Sequence, residues 1–268
     1  MPFAQVNGVR LAYEDEGSGS PLILVHGSWT NRRSWDRVAS RLAKRFRVVR
    51  HDRRGHSESE RIGGTLDDDT RDIAALAEHL GLGRFHLVCS SRGGVIGLKL
   101  AASRPDLVLT VVCHEPPLLG ALRIDERGEQ LADQLVDGEG RVVDIVETGD
   151  HETAARVFVE RVAFGPGAWE RFPRFIRQTF IENAATFAEE YRDPGVYSVD
   201  FEALRQFPGP VLLTNSSNSP PFFKEIIDRL AEILPRVERH VYQSAGHNPQ
   251  GNAVEQFVRV VGDFISDH

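Results

Sequence analysis

The chain has 268 residues, 41% of them hydrophobic and 26% charged, with a formal net charge of −7 at pH 7. This is the balance of a globular protein with a sizeable core, and the length suits one α/β domain carrying an insertion. No long basic run, no signal-peptide pattern and no apolar run of membrane-spanning length is present, so we expect a cytoplasmic protein without nucleic-acid or membrane partners.

Short apolar runs alternate with helical patterns in the first third of the chain. Runs that are apolar on both faces are typical of buried parallel strands, and an Asn7-Gly8 turn precedes the first alternating run. The predicted strands are residues 10–14, 21–26, 46–49, 85–89 and 107–113. The predicted helices between them are residues 34–45, 66–80 and 93–102.

The middle of the chain, residues 118–205, has helical periodicity and no clear strand. We interpret it as a helical cap inserted into the sheet domain, which comprises residues 1–117 and 206–268. Trp169 is predicted to contact substrate, and most of the other aromatic side chains are predicted to form the core of the cap. The helices expected here are residues 127–136, 141–148, 153–163 and 172–191.

The strand–helix alternation resumes after the cap. Residues 211–214 and 237–242 are predicted strands, and residues 221–234 and 253–265 are predicted helices. Such alternation indicates an α/β fold, a mostly parallel sheet with helices on both faces.

A candidate nucleophile lies between a predicted strand and a predicted helix, where a nucleophile elbow belongs. The elbow turn is so tight that the residues two before and two after the nucleophile must be small. Ser91 has Cys89 and Gly93 at these positions, whereas Ser90 would have two large neighbours. We therefore assign the nucleophile to Ser91. Both cysteines, Cys89 and Cys113, are expected to be reduced and buried, and neither has the spacing of a metal ligand, so no metal or cofactor is predicted.

A candidate base and a candidate oxyanion hole come from two other loops. His247 follows the last predicted strand and can reach a serine at the same sheet edge, where it would act as general base. The loop at residues 26–29 follows the central strand. We assign the oxyanion hole to the backbone N–H groups of Ser28 and Arg92. We predict that Trp29 forms the floor of the substrate pocket, with simple packing as the alternative.

These motifs together resemble the α/β-hydrolase superfamily. They come in the family's order along essentially the whole chain: HGSW at 26–29, HDRRGHS at 51–57, VCSSRGG at 88–94, PVLL at 210–213 and AGHNP at 245–249. The resemblance implies an α/β-hydrolase fold, an eight-stranded, mostly parallel sheet with a helical cap inserted after β6.

The position of the triad acid departs from the usual family pattern. Members usually carry an aspartate in the loop after the seventh strand, but no carboxylate lies between Leu204 and Lys224, and Asn218 stands near the expected place. The resemblance offers another site, because some members place a glutamate after the sixth strand. Glu115 matches that position, and the chain resembles zearalenone-type lactone hydrolases and related esterases there. We therefore predict the triad Ser91, His247 and Glu115.

Three neighbouring features are given structural interpretations. His114 is expected to point away from Glu115 if the strand continues through it. The Arg92 side chain is expected to form an ion pair at the helix surface, with an anionic substrate as the alternative. The turn at residues 52–55 is expected to be structural.

The predicted function is hydrolysis of a hydrophobic carboxylic ester or lactone through an acyl-serine intermediate. Two alternatives stay open: a C–C bond hydrolase with the same serine residues, and a non-catalytic ligand-binding relative. The oligomeric state also stays open, with a homodimer as one option.

Overall fold

The fold is built on one mixed sheet of eight strands, and the computed structural model describes residues 2–268 of the chain. The strand order is β1-β2-β4-β3-β5-β6-β7-β8. The pairs β1–β2 and β2–β4 are antiparallel, and every other neighbouring pair is parallel. The strands are β1 (Phe3–Val6), β2 (Val9–Gly17), β3 (Pro21–Val25), β4 (Arg47–His51), β5 (Phe85–Ser90), β6 (Val108–His114), β7 (Val211–Ser216) and β8 (Val237–Tyr242).

Helices cover both faces of the sheet, as the alternating pattern predicted. They are α1 (Asp36–Leu42), α2 (Leu66–His79), α3 (Arg92–Ser103), α4 (Glu126–Glu147), α5 (His151–Val157), α6 (Ala168–Arg171), α7 (Arg174–Glu182), α8 (Ala184–Tyr191), α9 (Phe201–Arg205), α10 (Pro221–Ile233), α11 (Pro249–Asn252) and α12 (Val254–Asp267). Alternate strand residues enter two separate apolar clusters. One cluster packs against α2, α3 and α10, and the other against α1 and α12.

A third apolar cluster belongs to the segment between β6 and β7, together with Trp29. It is formed by side chains of α4 to α8 and of the π-helical turn Phe158–Ala163. The ends of this segment do not join the third cluster. Their side chains Leu118, Leu122 and Leu204 belong to the apolar cluster that packs against α2, α3 and α10. The cap boundaries at 118 and 205 remain predictions.

The segments 127–136, 141–148 and 172–191 are helical over most of their length, as predicted, but their division into helices differs. Residues 127–136 and 141–148 belong to one helix, α4, because packing of Val142, Val143 and Val146 on one side outweighs the low helix propensity of two glycines. Conversely, residues 172–191 form two helices, α7 and α8. The break falls at Asn183, whose fully buried side chain binds the backbone of the sheet domain.

No helix within residues 2–268 has both the length and the apolar character needed to cross a lipid bilayer.

Candidate active site

Ser91 occupies a strained turn between β5 and α3. Its backbone has φ 56° and ψ −128°, outside the regions that a residue with a Cβ ordinarily adopts. The Ser91 N–H donates to the carbonyl of His114 at 2.8 Å, which ties the turn to the end of β6. The strained turn places the serine side chain above the carboxyl end of the sheet, at the N-terminus of a helix.

The tight turn explains why small residues flank Ser91. A Cβ on Gly93 would lie 2.3 Å from the carbonyl oxygen of Val25 in β3, so glycine is required there. The Cys89 Sγ fills the space over Gly97 of α3, where an added Cβ would lie 2.5 Å away. A cysteine therefore fits at the first flank only because the facing helix residue is a glycine. Cys89 and Cys113 are both free and buried, as predicted.

Glu115 and His247 form a buried hydrogen-bonded pair. The Nδ1 of His247 lies 2.6 Å from Oε2 of Glu115, and both residues are buried. The ring of His247 is stacked on Phe223, with centroids 4.4 Å apart and an angle of 13° between the planes. Because Nδ1 faces the carboxylate, Nε2 is the ring nitrogen left to act on a proton in the cavity.

The loop after β7 surrounds Glu115 with donors. The Ser216 N–H donates to Oε1 at 2.6 Å, and the Ser219 hydroxyl donates to Oε2 at 2.8 Å. Asn218, which stands near the usual place of the acid, instead accepts a hydrogen bond from the Ser217 hydroxyl. This loop therefore contributes hydrogen bonds to the carboxylate.

The charge of Glu115 is stabilised by its neighbours. Burial alone would raise the pKa of Glu115, but His114 and His247 beside the carboxylate outweigh it and hold that pKa well below the usual range. The carboxyl is therefore ionised at neutral pH.

The expectation that His114 points away from Glu115 is wrong. Its Nε2 lies 3.4 Å from Oε2 of Glu115, and its Nδ1 lies 2.9 Å from the Thr214 hydroxyl. The strand ends at His114, and Glu115 adopts a left-handed backbone with φ 44°, so the alternation of side chains stops there. Burial lowers the pKa of His114, although the neighbouring Glu115 carboxylate opposes this shift.

The backbone of the loop after β3 lies directly against Ser91. A Cβ on Gly27 would be 2.8 Å from the Ser91 Cβ and 3.3 Å from its Oγ. Arg92 is the first residue of α3, where a backbone N–H has no acceptor within the helix. These two positions are compatible with the predicted oxyanion hole at the N–H groups of Ser28 and Arg92, which remains a prediction.

A small cavity lies between this edge of the sheet and the cap. Its volume is about 40 Å³, room for a few water molecules. Ser91 and His247 both line it. Its apolar walls are Pro117, Phe158, Val162, Ala163, Phe187, Val196, Phe222 and Phe223, and its polar or ionisable lining residues are Ser28, Arg92, Glu139, Glu190, Tyr191 and Tyr197.

The comparisons with known proteins agree with this architecture. The family model described as alpha/beta hydrolase fold matches residues 20–253. The uncharacterized hydrolase YraK of Bacillus subtilis (strain 168) is 30% identical over 213 residues, which cover 75% of this chain and 71% of that protein. The chain belongs to the α/β-hydrolase family.

Two solved structures share the fold of this α/β-hydrolase. A thermophilic esterase from Thermogutta terrifontis has a TM-score of 0.81 at 24% identity, covering 100% of this chain and 99% of that one. The enol-lactonase from Burkholderia xenovorans LB400 has a TM-score of 0.82 at 23% identity, covering 99% of this chain and 100% of that one. At such identities the likeness establishes the fold alone.

Neither tryptophan predicted to bind substrate is part of the cavity wall of this α/β-hydrolase. Trp29 is fully buried, and its ring packs on Phe158 and Phe187 at centroid distances of 4.9 and 4.8 Å. Trp169 lies in the apolar cluster of the cap. Phe158 and Phe187 line the cavity, and the two indole rings lie outside its lining.

The expected surface ion pair of Arg92 is also wrong. Arg92 is only 3% exposed and lines the cavity. Its closest carboxylate is that of Asp193, with 4.0 Å between Nη2 and Oδ2. Asp193 and Val196 of the cap lie against this side chain, which a sequence pattern for α3 alone does not reveal.

Sequence reasoning missed the residues that attach the cap to the sheet domain. Glu190 of α8 accepts a hydrogen bond from the Ser28 hydroxyl at 2.5 Å and forms a buried ion pair with Arg53. Burial by itself would raise the pKa of Glu190, but Arg53 and Arg92 lower it to about 2. The turn at residues 52–55 is predicted to be structural, and the buried ion pair of Arg53 with Glu190 agrees with this prediction. No local pattern identifies its partner 137 residues away.

His114, Glu115 and His247 have ligand atoms within 4.8 Å of one another, a spacing that a metal ion could bridge. However, the Glu115 oxygens already accept hydrogen bonds from Ser216, Ser219 and His247. A metal would have to displace these bonds, and the arrangement fits an acid–imidazole pair better.

Proposed function

We propose that this α/β-hydrolase cleaves carboxylic esters or lactones through an acyl intermediate on Ser91. The observation that carries the proposal is the 2.6 Å contact between His247 Nδ1 and Glu115 Oε2, in a cavity that Ser91 and His247 both line. A serine hydroxyl is a poor nucleophile at neutral pH, and a base oriented by a buried carboxylate is the arrangement that activates it.

In the proposed reaction, Oγ of Ser91 attacks the acyl carbon while Nε2 of His247 takes the hydroxyl proton. Glu115 stabilises the imidazolium through Nδ1. The N–H groups of Ser28 and Arg92 bind the oxyanion that forms. The imidazolium then protonates the leaving alkoxide, and His247 activates a water that hydrolyses the acyl-serine by the same steps in reverse.

The glutamate after β6 supports this proposal over that of a non-catalytic ligand-binding relative. A scaffold that had lost catalysis would not need an ionised buried carboxylate with three hydrogen-bond donors around it, since an unpaired buried charge is costly. The names of the esterase and enol-lactonase neighbours agree with carboxylic esters and lactones as the substrate class.

The test uses a panel of p-nitrophenyl esters and lactones with the wild-type chain, Ser91→Ala and Ser90→Ala. We expect Ser91→Ala to lose about 10⁴-fold or more in kcat. Ser90→Ala, a buried neighbour at the end of β5, is the matched control and should keep activity within about tenfold. A p-nitrophenyl phosphonate should modify Ser91, as seen by the mass of the labelled peptide.

Retention of turnover by Ser91→Ala would refute the nucleophile. Failure of every ester and lactone, with cleavage of a vinylogous diketone, would assign the same serine to C–C bond hydrolysis instead.

A further inference from the structure

Arg92 is one of the charged residues that line the cavity over Ser91. Glu139 and Tyr197 also line it, together with phenylalanine and aliphatic side chains. Because Arg92 is only 3% exposed, its guanidinium has little access to bulk water. A buried cation in a substrate cavity needs an acceptor of its own.

Half of the Arg92 guanidinium has no acceptor. Nη1 donates to the carbonyl of Val196 at 3.3 Å. Nε and Nη2 have no hydrogen-bond partner anywhere in residues 2–268, and Asp193 Oδ2 stays 4.0 Å from Nη2. Nε–H and Nη2–H are the two parallel donors of the side-on fork of arginine, which is the geometry that binds a carboxylate through two hydrogen bonds.

Other arginines of the chain show what this fork binds when it is filled. Arg54 donates from Nε and Nη2 to the two oxygens of Asp72 at 2.8 and 2.7 Å. Arg104 does the same with Asp106 at 2.9 and 2.7 Å. In Arg92 the equivalent pair of donors is buried and has no acceptor.

The nearby carboxylates are held by other groups. Asp193 accepts the N–H groups of Leu66 at 2.6 Å and Gly195 at 2.8 Å. Glu190 is bound to Arg53 and to the Ser28 hydroxyl. Glu139 accepts the Tyr197 hydroxyl at 2.5 Å, and burial raises its pKa to about 7, so much of it is uncharged at neutral pH.

We propose that the open fork of Arg92 binds a free carboxylate carried by the substrate, so that the preferred substrates are esters or lactones with a second, unesterified carboxyl group. This inference rests on the proposed function, because it names the substrate class of the same site. The backbone N–H of Arg92 would bind the oxyanion while its side chain binds the remote carboxylate, so one residue would fix both ends of the acyl chain. Phe158 and Phe187 would contact the methylene groups between the two ends.

The kinetic test compares two matched substrates, mono-p-nitrophenyl glutarate and its neutral methyl ester. Two charge-assisted hydrogen bonds should give the free acid about 100-fold higher kcat/KM with the wild-type enzyme. Arg92→Gln should abolish this preference, so that the two substrates have about the same kcat/KM. Arg92→Lys keeps the charge without the fork and should lose most of the preference. Arg123→Gln, which removes an exposed arginine paired with Asp133, is the control and should keep the full preference.

Hydrolysis of the neutral ester without any preference for the free acid would overturn the inference and leave the proposed function intact. A full preference in Arg92→Lys would overturn the bidentate geometry. The second measurement needs no turnover: calorimetric binding of glutarate to Ser91→Ala and to Ser91→Ala/Arg92→Gln. Binding by the first variant, weakened about 100-fold in the second, would support the carboxylate site even if no ester were cleaved. Equal binding by both, or none by either, would refute it.

Discussion

The loops after β6 and β7 leave neighbouring strands at the same edge of the sheet and meet at one carboxylate. The β6 loop brings the carboxylate of Glu115, a residue with a left-handed backbone, into contact with His247. The β7 loop brings a backbone N–H from Ser216 and a hydroxyl from Ser219. The β6 loop therefore contacts the imidazole directly, and the β7 loop contacts the carboxylate that binds it.

The two positions at which a triad acid is found in the family differ in burial. Asn218 hydrogen-bonds to Ser217 and lies in the exposed part of the β7 loop, whereas Glu115 is fully buried. A buried carboxylate needs several donors to remain charged, and the β7 loop provides two of them. We therefore expect the β7 loop to act on His247 only through its hydrogen bonds to Glu115.

The largest expected effect distinguishes Glu115 on the β6 loop from Asn218 on the β7 loop as the partner of His247. Glu115→Gln should lower kcat by about 10⁴-fold, because an amide on Nδ1 cannot stabilise the imidazolium and favours the wrong tautomer. Asn218→Ala should change kcat by less than about threefold. Steady-state kinetics on one p-nitrophenyl ester measures both, with circular dichroism to verify folding. The opposite result would return the acid to the β7 loop.

A smaller effect should follow from removing one donor. Ser219→Ala deletes a hydrogen bond to a charged, buried oxygen and should lower the free energy of unfolding by about 2 kcal/mol. We expect kcat to fall about tenfold, because Glu115 is held less firmly against His247. Ser217→Ala is the matched control, since its exposed hydroxyl bonds to Asn218 and Ser244 and not to Glu115. Equal effects from both serines would show that the loop acts only through its general stability.

The smallest effect concerns stability in acid. The pKa of Glu115 in the folded protein lies below its ordinary value of 4.5, so its contribution to stability is present above pH 4.5 and is lost as the pH falls toward the lowered pKa. Below about pH 4.5 the wild-type free energy of unfolding should therefore fall more steeply than that of Glu115→Gln, by up to about 1.4 kcal/mol per pH unit. Urea unfolding at about pH 5, 4 and 3 measures the slopes. Parallel slopes would mean that Glu115 has the same pKa folded and unfolded.

Much of the fold and part of the site could be predicted from the sequence, because both rest on local rules. Runs apolar on both faces specify buried parallel strands, and small residues around Ser91 specify the tight turn at a strand end. The location of His247 on the loop after the last strand followed from the same reasoning, since the carboxyl ends of parallel strands share one edge. Glu115 was predicted through family resemblance together with the missing carboxylate after β7.

Only the tertiary structure decided what surrounds these residues. His114 contacts the Glu115 carboxylate because the backbone turns left-handed at Glu115, and strand periodicity holds no information about the residue at which a strand ends. Arg92 is buried because the cap covers it, and Glu190 reaches Ser28 across 162 positions of sequence. Such contacts depend on how the cap packs on the sheet, an interaction between distant segments that neither segment's own pattern encodes.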